Sequence, residues 1–222
     1  MGQRERVGLV GGEAPVRVLG PRCAVARART AGRVAGPLLV GGPGRDIVHA
    51  DLATGDCGPL WCKYPYGNDT VDGGPGDDFL PVGSGNDTVT DLEGANIIYG
   101  GAGNDTITTG PGSDEARGED GDDVLVDGGN DGRARQGYPP AQYLWGGAGN
   151  DSITLNGTSA VEDSVTGDAG NDVIKAGDGP QSIQGGEDAD DIDGGAGDDR
   201  INGGNGNDTL RGGDGDDTVQ GG

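Results

Sequence analysis

The chain has 222 residues, of which 51 are glycine and 12 proline, about 28% together against a usual share of about 12%, while only 31% are hydrophobic and 4% aromatic. So little apolar material cannot alone offset the entropy of ordering the backbone, which excludes an ordinary globular core, and the lack of any run of about 18 apolar residues excludes a membrane-spanning helix. A net charge of −23, from 15 Lys and Arg against 38 Asp and Glu, argues against nucleic acid or an anionic membrane surface as partner and makes cations the natural counterpart.

Residues 1–40 read as a basic segment, a flexible arm or an extension upstream of the folded protein. Residues 1–45 hold eight Arg and two Glu, so the chain from Asp46 onward carries −29. The best candidate for the apolar stretch of a signal peptide, Val34 to Val40, is short and broken by Gly36 and Pro37, so no signal peptide is read. From residue 41 the sequence repeats with a period of nine, beginning with GGPGRDIVH (41–49). An irregular stretch at 50–63 follows, in which Cys57 and Cys62 are spaced for a local disulfide in an oxidising compartment, free thiols being the alternative. Seven copies then run without a gap from 64 to 126, among them GGAGNDTIT (100–108). A 19-residue irregular stretch (127–145) precedes GGAGNDSIT (146–154), and a shorter one (155–166) closes on the degenerate copy TSAVEDSVT, which keeps Asp163 and Val165 in register. Six more copies fill 167–220, including GGAGDDRIN (194–202) and GGNGNDTLR (203–211).

Each copy holds six turn residues and then three of the form x-U-x, a short strand with one inward apolar side chain. Strands this short must stack, so residues 41–222 are expected to form an all-β fold: a parallel β-roll, that is a β-helix or solenoid, of stacked nine-residue repeats. At a spacing of about 4.8 Å it would be roughly 35 Å long if two copies make one coil. The expected core is thin: Val71, Leu80, Val89, Ile98, Ile107, Leu125, Ile153, Val165, Ile174, Ile183, Ile192, Ile201, Leu210 and Val219. Ala116 is the small member of that set.

These copies resemble the G-G-x-G-x-D-x-U-x nonapeptide of RTX, or haemolysin-type, calcium-binding proteins. The resemblance implies Ca²⁺ between successive turns, held by sixth-position Asp carboxylates and turn carbonyls, and an extracellular or cell-surface setting. Carried over position by position, the ligands are Asp46, Asp69, Asp78, Asp87, Asp105, Asp114, Asp123, Asp151, Asp172, Asp190, Asp199, Asp208 and Asp217. The residue types agree with it. Stacked carboxylates repel unless cations lie between them, and Ca²⁺ takes six to eight oxygens in flexible geometry. One His and three Cys leave little for metals that prefer imidazole or thiolate. Asn96 and Gln181 replace the sixth-position Asp and Asp188 replaces the fourth-position Gly, so those sites are expected to be weakened or empty.

Catalysis is not expected. In the resembled family the repeats often accompany secreted enzymes, but here they fill the chain, and His49 is the only histidine available to a zinc site or a serine triad. Six of the eight aromatic residues (Trp61, Tyr64, Tyr66, Tyr138, Tyr143 and Trp145) lie in or beside the irregular stretches. They read either as covers for the thin core where the repeat breaks, the favoured reading, or as a surface for a glycan or protein partner. The chain is thus expected to bind calcium through its repeats. The alternatives are an adhesive or carbohydrate-binding surface protein scaffolded by the roll, and a fragment of a repeat-bearing secreted enzyme.

Overall fold

The computed structural model describes residues 67–129, 141–157 and 161–222, together with the backbone of four short strands nearer the N-terminus. Ten strands pair in parallel into one sheet: β1 (Arg17–Val18), β3 (Leu38–Val40), β5 (Thr70–Asp72), β7 (Thr88–Asp91), β9 (Thr106–Thr109), β11 (Val124–Asp127), β13 (Ser152–Leu155), β15 (Val173–Lys175), β17 (Asp191–Asp193) and β19 (Thr209–Arg211). A second parallel sheet has eight: β6 (Phe79–Ser84), β8 (Ile97–Ala102), β10 (Glu115–Asp120), β12 (Tyr143–Ala148), β14 (Asp163–Ala169), β16 (Gln181–Glu187), β18 (Arg200–Asn205) and β20 (Thr218–Gln220). The remaining two, β2 (Ala24–Val25) and β4 (Val48–His49), pair with each other. The described residues contain no helix, and so none that is long and apolar enough to cross a membrane.

Consecutive repeats alternate between the sheets, so two repeats make one coil and corresponding atoms recur every 18 residues. The chain is therefore a β-solenoid of about eight turns, and the seven intervals of the eight-stranded sheet span roughly 34 Å at about 4.8 Å each. Residues from the segment read as a basic arm supply β1 and β3, which continue the larger sheet beyond β5.

The middle residue of each x-U-x strand points inward because side chains alternate along a strand. One core column runs Val71, Val89, Ile107, Leu125, Ile153, Ile174, Ile192, Leu210. The facing column runs Leu80, Ile98, Ala116, Leu144, Val165, Ile183, Ile201, Val219. Nearly all are buried in a single cluster; in the last coil Leu210 is only partly covered and Val219 is 46% exposed. Leu144, absent from the expected core, lies between Ala116 and Val165. Its strand emerges from the stretch at 127–145 that reads as irregular.

The two turn edges differ. Edge A carries the chain from the eight-stranded sheet to the ten-stranded one, and edge B carries it back. On edge A every sixth position from Asp69 to Asp208 is Asp. Edge B reads Asp78, Asn96, Asp114, Gln142, Asp163, Gln181, Asp199, Asp217. The coil spacing rises to 28 residues between Asp114 and Gln142 and to 21 between Gln142 and Asp163. The extra residues enter on edge B, between Gly129 and Ala141 and between Gly157 and Val161.

Candidate metal sites

Most sixth-position side chains are tied to the coil before them; at Gln181 the N–H of Asp163 goes instead to Pro180 O at 3.1 Å, and Gln181 Oε1 is buried with no hydrogen-bond partner. On edge A the backbone N–H of Asp87 donates to Asp105 Oδ1 at 2.8 Å, that of Asp105 to Asp123 Oδ1 at 2.7 Å, that of Asp123 to Asp151 Oδ1 at 2.7 Å, and that of Asp151 to Asp172 Oδ1 at 2.8 Å. A second ladder runs outside it through the fifth positions, where the N–H of Asn104 donates to Asn86 Oδ1 at 3.2 Å and that of Asn171 to Asn150 Oδ1 at 3.0 Å. One carboxylate oxygen of each Asp is thus committed to backbone. The other is not: Oδ2 of Asp105, Asp123, Asp151, Asp172, Asp190 and Asp199 is buried with no hydrogen-bond partner.

Those oxygens all lie against the first glycine of their own repeat. A Cβ added to Gly118 would collide with Asp123 Oδ2 and sit 2.6 Å from the carbonyl oxygen of Gly146 in the next coil; at Gly146 it would collide with Asp151 Oδ2 and sit 2.8 Å from Gly167 O. The missing Cβ therefore marks a spot where a carboxylate of one coil and a carbonyl of the next converge. The fourth-position glycines bring a further carbonyl close. Gly103 adopts φ +122°, which a Cβ disfavours, and its Cα lies over Gly85 O.

Buried carboxylates hold their protons to higher pH than exposed ones do. Loss of hydration, with repulsion from neighbouring Asp residues second to it among the raising effects, lifts Asp105 and Asp172 from 3.8 to about 7 and Asp123 and Asp151 to about 6. Desolvation raises Asp190 and Asp199 as well. Edge A gathers still more acid: Glu119 and Asp168 occupy second positions and Asp188 a fourth, all with φ between 75° and 79° where glycine is regular. Asp188 nevertheless keeps its carbonyl against Gly206, as a glycine there would.

Among the described residues no three His, Cys, Asp or Glu side chains cluster tightly enough to hold a metal ion by themselves. An ion in a gap would need backbone carbonyls as well, and a hard oxygen-seeking cation is the kind that accepts them. The donor set fits calcium: oxygens only, carboxylates from two coils, and turn carbonyls beside them.

Edge B shows what happens where the acid is lost. Gln142 Oε1 accepts the N–H of Asp114 at 2.7 Å, as an Asp would, while Nε2 donates to Gly112 O at 2.6 Å and Gly129 O at 3.0 Å. The amide thereby supplies positive hydrogens to carbonyls of two coils, a cation's task. Sequence reasoning missed Gln142 because it lies within the 127–145 stretch, although Gln-Tyr-Leu-Trp directly before GGAG has the sixth-position and x-U-x spacing. Asp163 also takes its place, accepting the N–H of Gln142 at 2.8 Å. Asp46 lies outside the described residues, as do Trp61, Tyr64, Tyr66, Tyr138, Cys57 and Cys62.

The outer face of the eight-stranded sheet carries the described aromatics. Phe79 meets Tyr99 edge to face at 5.7 Å, the Arg117 guanidinium lies 5.5 Å from the Tyr99 ring and 4.3 Å over Trp145, and Trp145 stacks on Tyr143 at 6.0 Å. Tyr143 and Trp145 flank the inward Leu144 and so face away from the core they were expected to cover.

A parallel β-roll with stacked, half-committed carboxylates on its edges belongs to the class of ion-binding solenoids. The model of the RTX calcium-binding nonapeptide repeat family, four copies long, matches at 66–89, 81–116, 108–131, 142–157, 161–179, 166–201, 176–210 and 184–219. These matches span more than half of the chain, which belongs to the RTX calcium-binding repeat family; its repeats bind Ca²⁺ and are structural rather than catalytic. No curated protein matches the chain.

Proposed function

We propose that Ca²⁺ ions lie in the gaps between coils, held by Asp69, Asp78, Asp87, Asp105, Asp114, Asp123, Asp151, Asp172, Asp190, Asp199, Asp208 and Asp217 with turn carbonyls, and that ion binding drives folding outside the cell. The observation that carries this reading is the row of buried Oδ2 atoms on edge A, from Asp105 to Asp190, each facing a carbonyl rather than a donor. Without ions these carboxylates repel one another or take up protons; with Ca²⁺ at the roughly millimolar level suited to weak extracellular modules, the repulsion is offset and binding free energy becomes folding free energy. The ion-binding unit begins at residue 41, since residues 1–40 contain no Asp.

Circular dichroism of the full chain during a Ca²⁺ titration, with Mg²⁺ as control, tests it. A cooperative gain of β signal with Ca²⁺ alone is expected. A full β signal in chelator, unchanged by Ca²⁺, would sink the coupling.

A second reading, a partner-binding face, is favoured by one observation, the Phe79–Tyr99–Arg117–Trp145–Tyr143 ladder in a chain otherwise poor in aromatics. Flat aromatic faces beside a guanidinium suit the apolar side of sugar rings. Glycan-array binding that disappears in Trp145→Ala supports it, and an array without signal removes it.

A further inference from the structure

Edge B loses its sixth-position acid at Asn96, and the gap before that coil ought to hold one carboxylate too few. The structure supplies the missing group from another position. Asp91 is the first residue of that repeat, where Gly is regular, and its side chain is wholly buried. Its Oδ2 has no hydrogen-bond partner, and Oδ1 receives only a long bond from the N–H of Glu93 at 3.4 Å.

The side chain reaches back toward the preceding coil. A Cβ placed on Gly73 would collide with Asp91 Oδ2 and lie 2.7 Å from Asp78 Oδ2. In the regular gaps the same spot is shared by the repeat's own Asp and the carbonyl of the next coil's first residue, as with Asp123 and Gly146 O. Here a second carboxylate stands where that carbonyl would be. Asn96 cannot do the work: its Oδ1 accepts the N–H of Asp78 at 2.9 Å, and its Nδ2 is a donor, which no cation accepts. The charged groups acting on Asp91 are Asp78, Asp114 and Asp72, all acidic.

Two coils later the same first position is again Asp, and the outcome is different. Asp127 Oδ1 accepts the hydroxyl of Thr109 at 2.7 Å and Oδ2 accepts the N–H of Gly129 at 2.7 Å. Gln142 serves the nearby carbonyls. Both carboxylate oxygens of Asp127 are thus taken by hydrogen bonds, so first-position acids on this edge are of two kinds.

We propose that Asp91 and Asp78, whose Oδ2 atoms converge beside Gly73, form a divalent-cation site of a second kind, in which an acid at the first position replaces the one lost at Asn96. The site extends the reading that Ca²⁺ enters the gaps between coils, and it restores two carboxylates to a gap that the repeat pattern alone leaves with one.

The test is the number of Ca²⁺ ions bound per full-length chain, measured by isothermal titration and by equilibrium dialysis against Ca²⁺. Asp91→Asn is expected to bind one ion fewer than wild type, and Asp127→Asn the same number as wild type. An Asp91→Asn protein with wild-type circular dichroism and an undiminished ion count overturns the proposal. The double variant Asp91→Gly with Asn96→Asp rebuilds a regular repeat and decides the matter even if Asp91→Asn fails to fold. A count equal to wild type shows one site exchanged for another, while one ion more shows that Asp91 held none. A wild-type chain that binds no Ca²⁺ defeats this site and the broader reading together; a wild type that binds while Asp91→Asn keeps every ion defeats this site alone.

Discussion

Replacing Gln142 by glutamate preserves the outline of the side chain and changes one NH₂ into an oxygen. The oxygen that accepts the N–H of Asp114 survives. The group that donates to Gly112 O at 2.6 Å and Gly129 O at 3.0 Å becomes an acceptor facing two acceptors. Leaving a buried carbonyl without its donor costs about 1–3 kcal/mol. Gly129 O keeps the backbone N–H of Gly112 at 3.3 Å, so the loss falls on Gly112 O and is about 1–3 kcal/mol before any charge on the new carboxylate is counted, a sizeable part of the roughly 5–15 kcal/mol that holds a typical domain together. Urea unfolding followed by circular dichroism, in chelator at pH 8, should show a loss of that size for Gln142→Glu. Added Ca²⁺ should return part of it, because an ion can satisfy the carbonyls that the amide had served. A Gln142→Glu protein as stable as wild type in chelator would refute the idea that this amide stands in for a cation.

The edge A column predicts a sign change. Asp123→Asn keeps the acceptor for the N–H of Asp105 and turns the orphaned oxygen into a donor beside Gly146 O. In chelator it should raise Tm by about 2–4 °C for each kcal/mol gained, and in thermal melts with Ca²⁺ it should shrink the ion's stabilising effect; a Tm lowered in both conditions would count against the site. The pH dependence follows from Asp91 at about 8, Asp105 and Asp172 at about 7, and Asp123 and Asp151 at about 6. These lie above the ordinary 3.8, so between pH 4 and 8 the folded, ion-free chain binds more protons than the unfolded one and its stability falls as pH rises. Melts in chelator from pH 4.5 to 8 should trace that fall, and Ca²⁺ should flatten it. In the core, Ile153→Ala should cost about 2–5 kcal/mol, whereas Val219→Ala, at 46% exposure in the last coil, should cost less than about 0.5 kcal/mol; equal losses in urea unfolding would mean that the columns are not the core.

The nine-residue period made the inward column legible because each strand holds one apolar residue at a fixed offset, and it made the acids legible because glycine turns leave Asp as the obvious ligand. What it could not display was which acids are neighbours. Asp105 and Asp114 are nine residues apart and lie on opposite edges; Asp105 and Asp123 are 18 apart and touch. Only the coil length reveals that edge A is unbroken and that edge B alternates acids with amides from Asp78 to Asp199 before closing on a second acid, Asp217. Asp91 was hidden for the same reason, since in DLEGANIIY it looks like a lost glycine until Gly73 and Asp78 are brought beneath it. Leu144 and Gln142 were obscured by inserted residues that break the count while leaving the register whole.

Those insertions carry a lesson about where this molecule tolerates novelty. Both enter on edge B, at the coils whose sixth positions are Gln142 and Asp163, and neither shifts a partner on edge A, where Asp123, Asp151 and Asp172 remain consecutive rungs. One margin of the roll is thus kept as an uninterrupted spine, and the other can accept foreign sequence between fixed anchor points. A peptide grafted between Gly129 and Ala141 would be displayed from a rigid scaffold whose rungs continue undisturbed behind it.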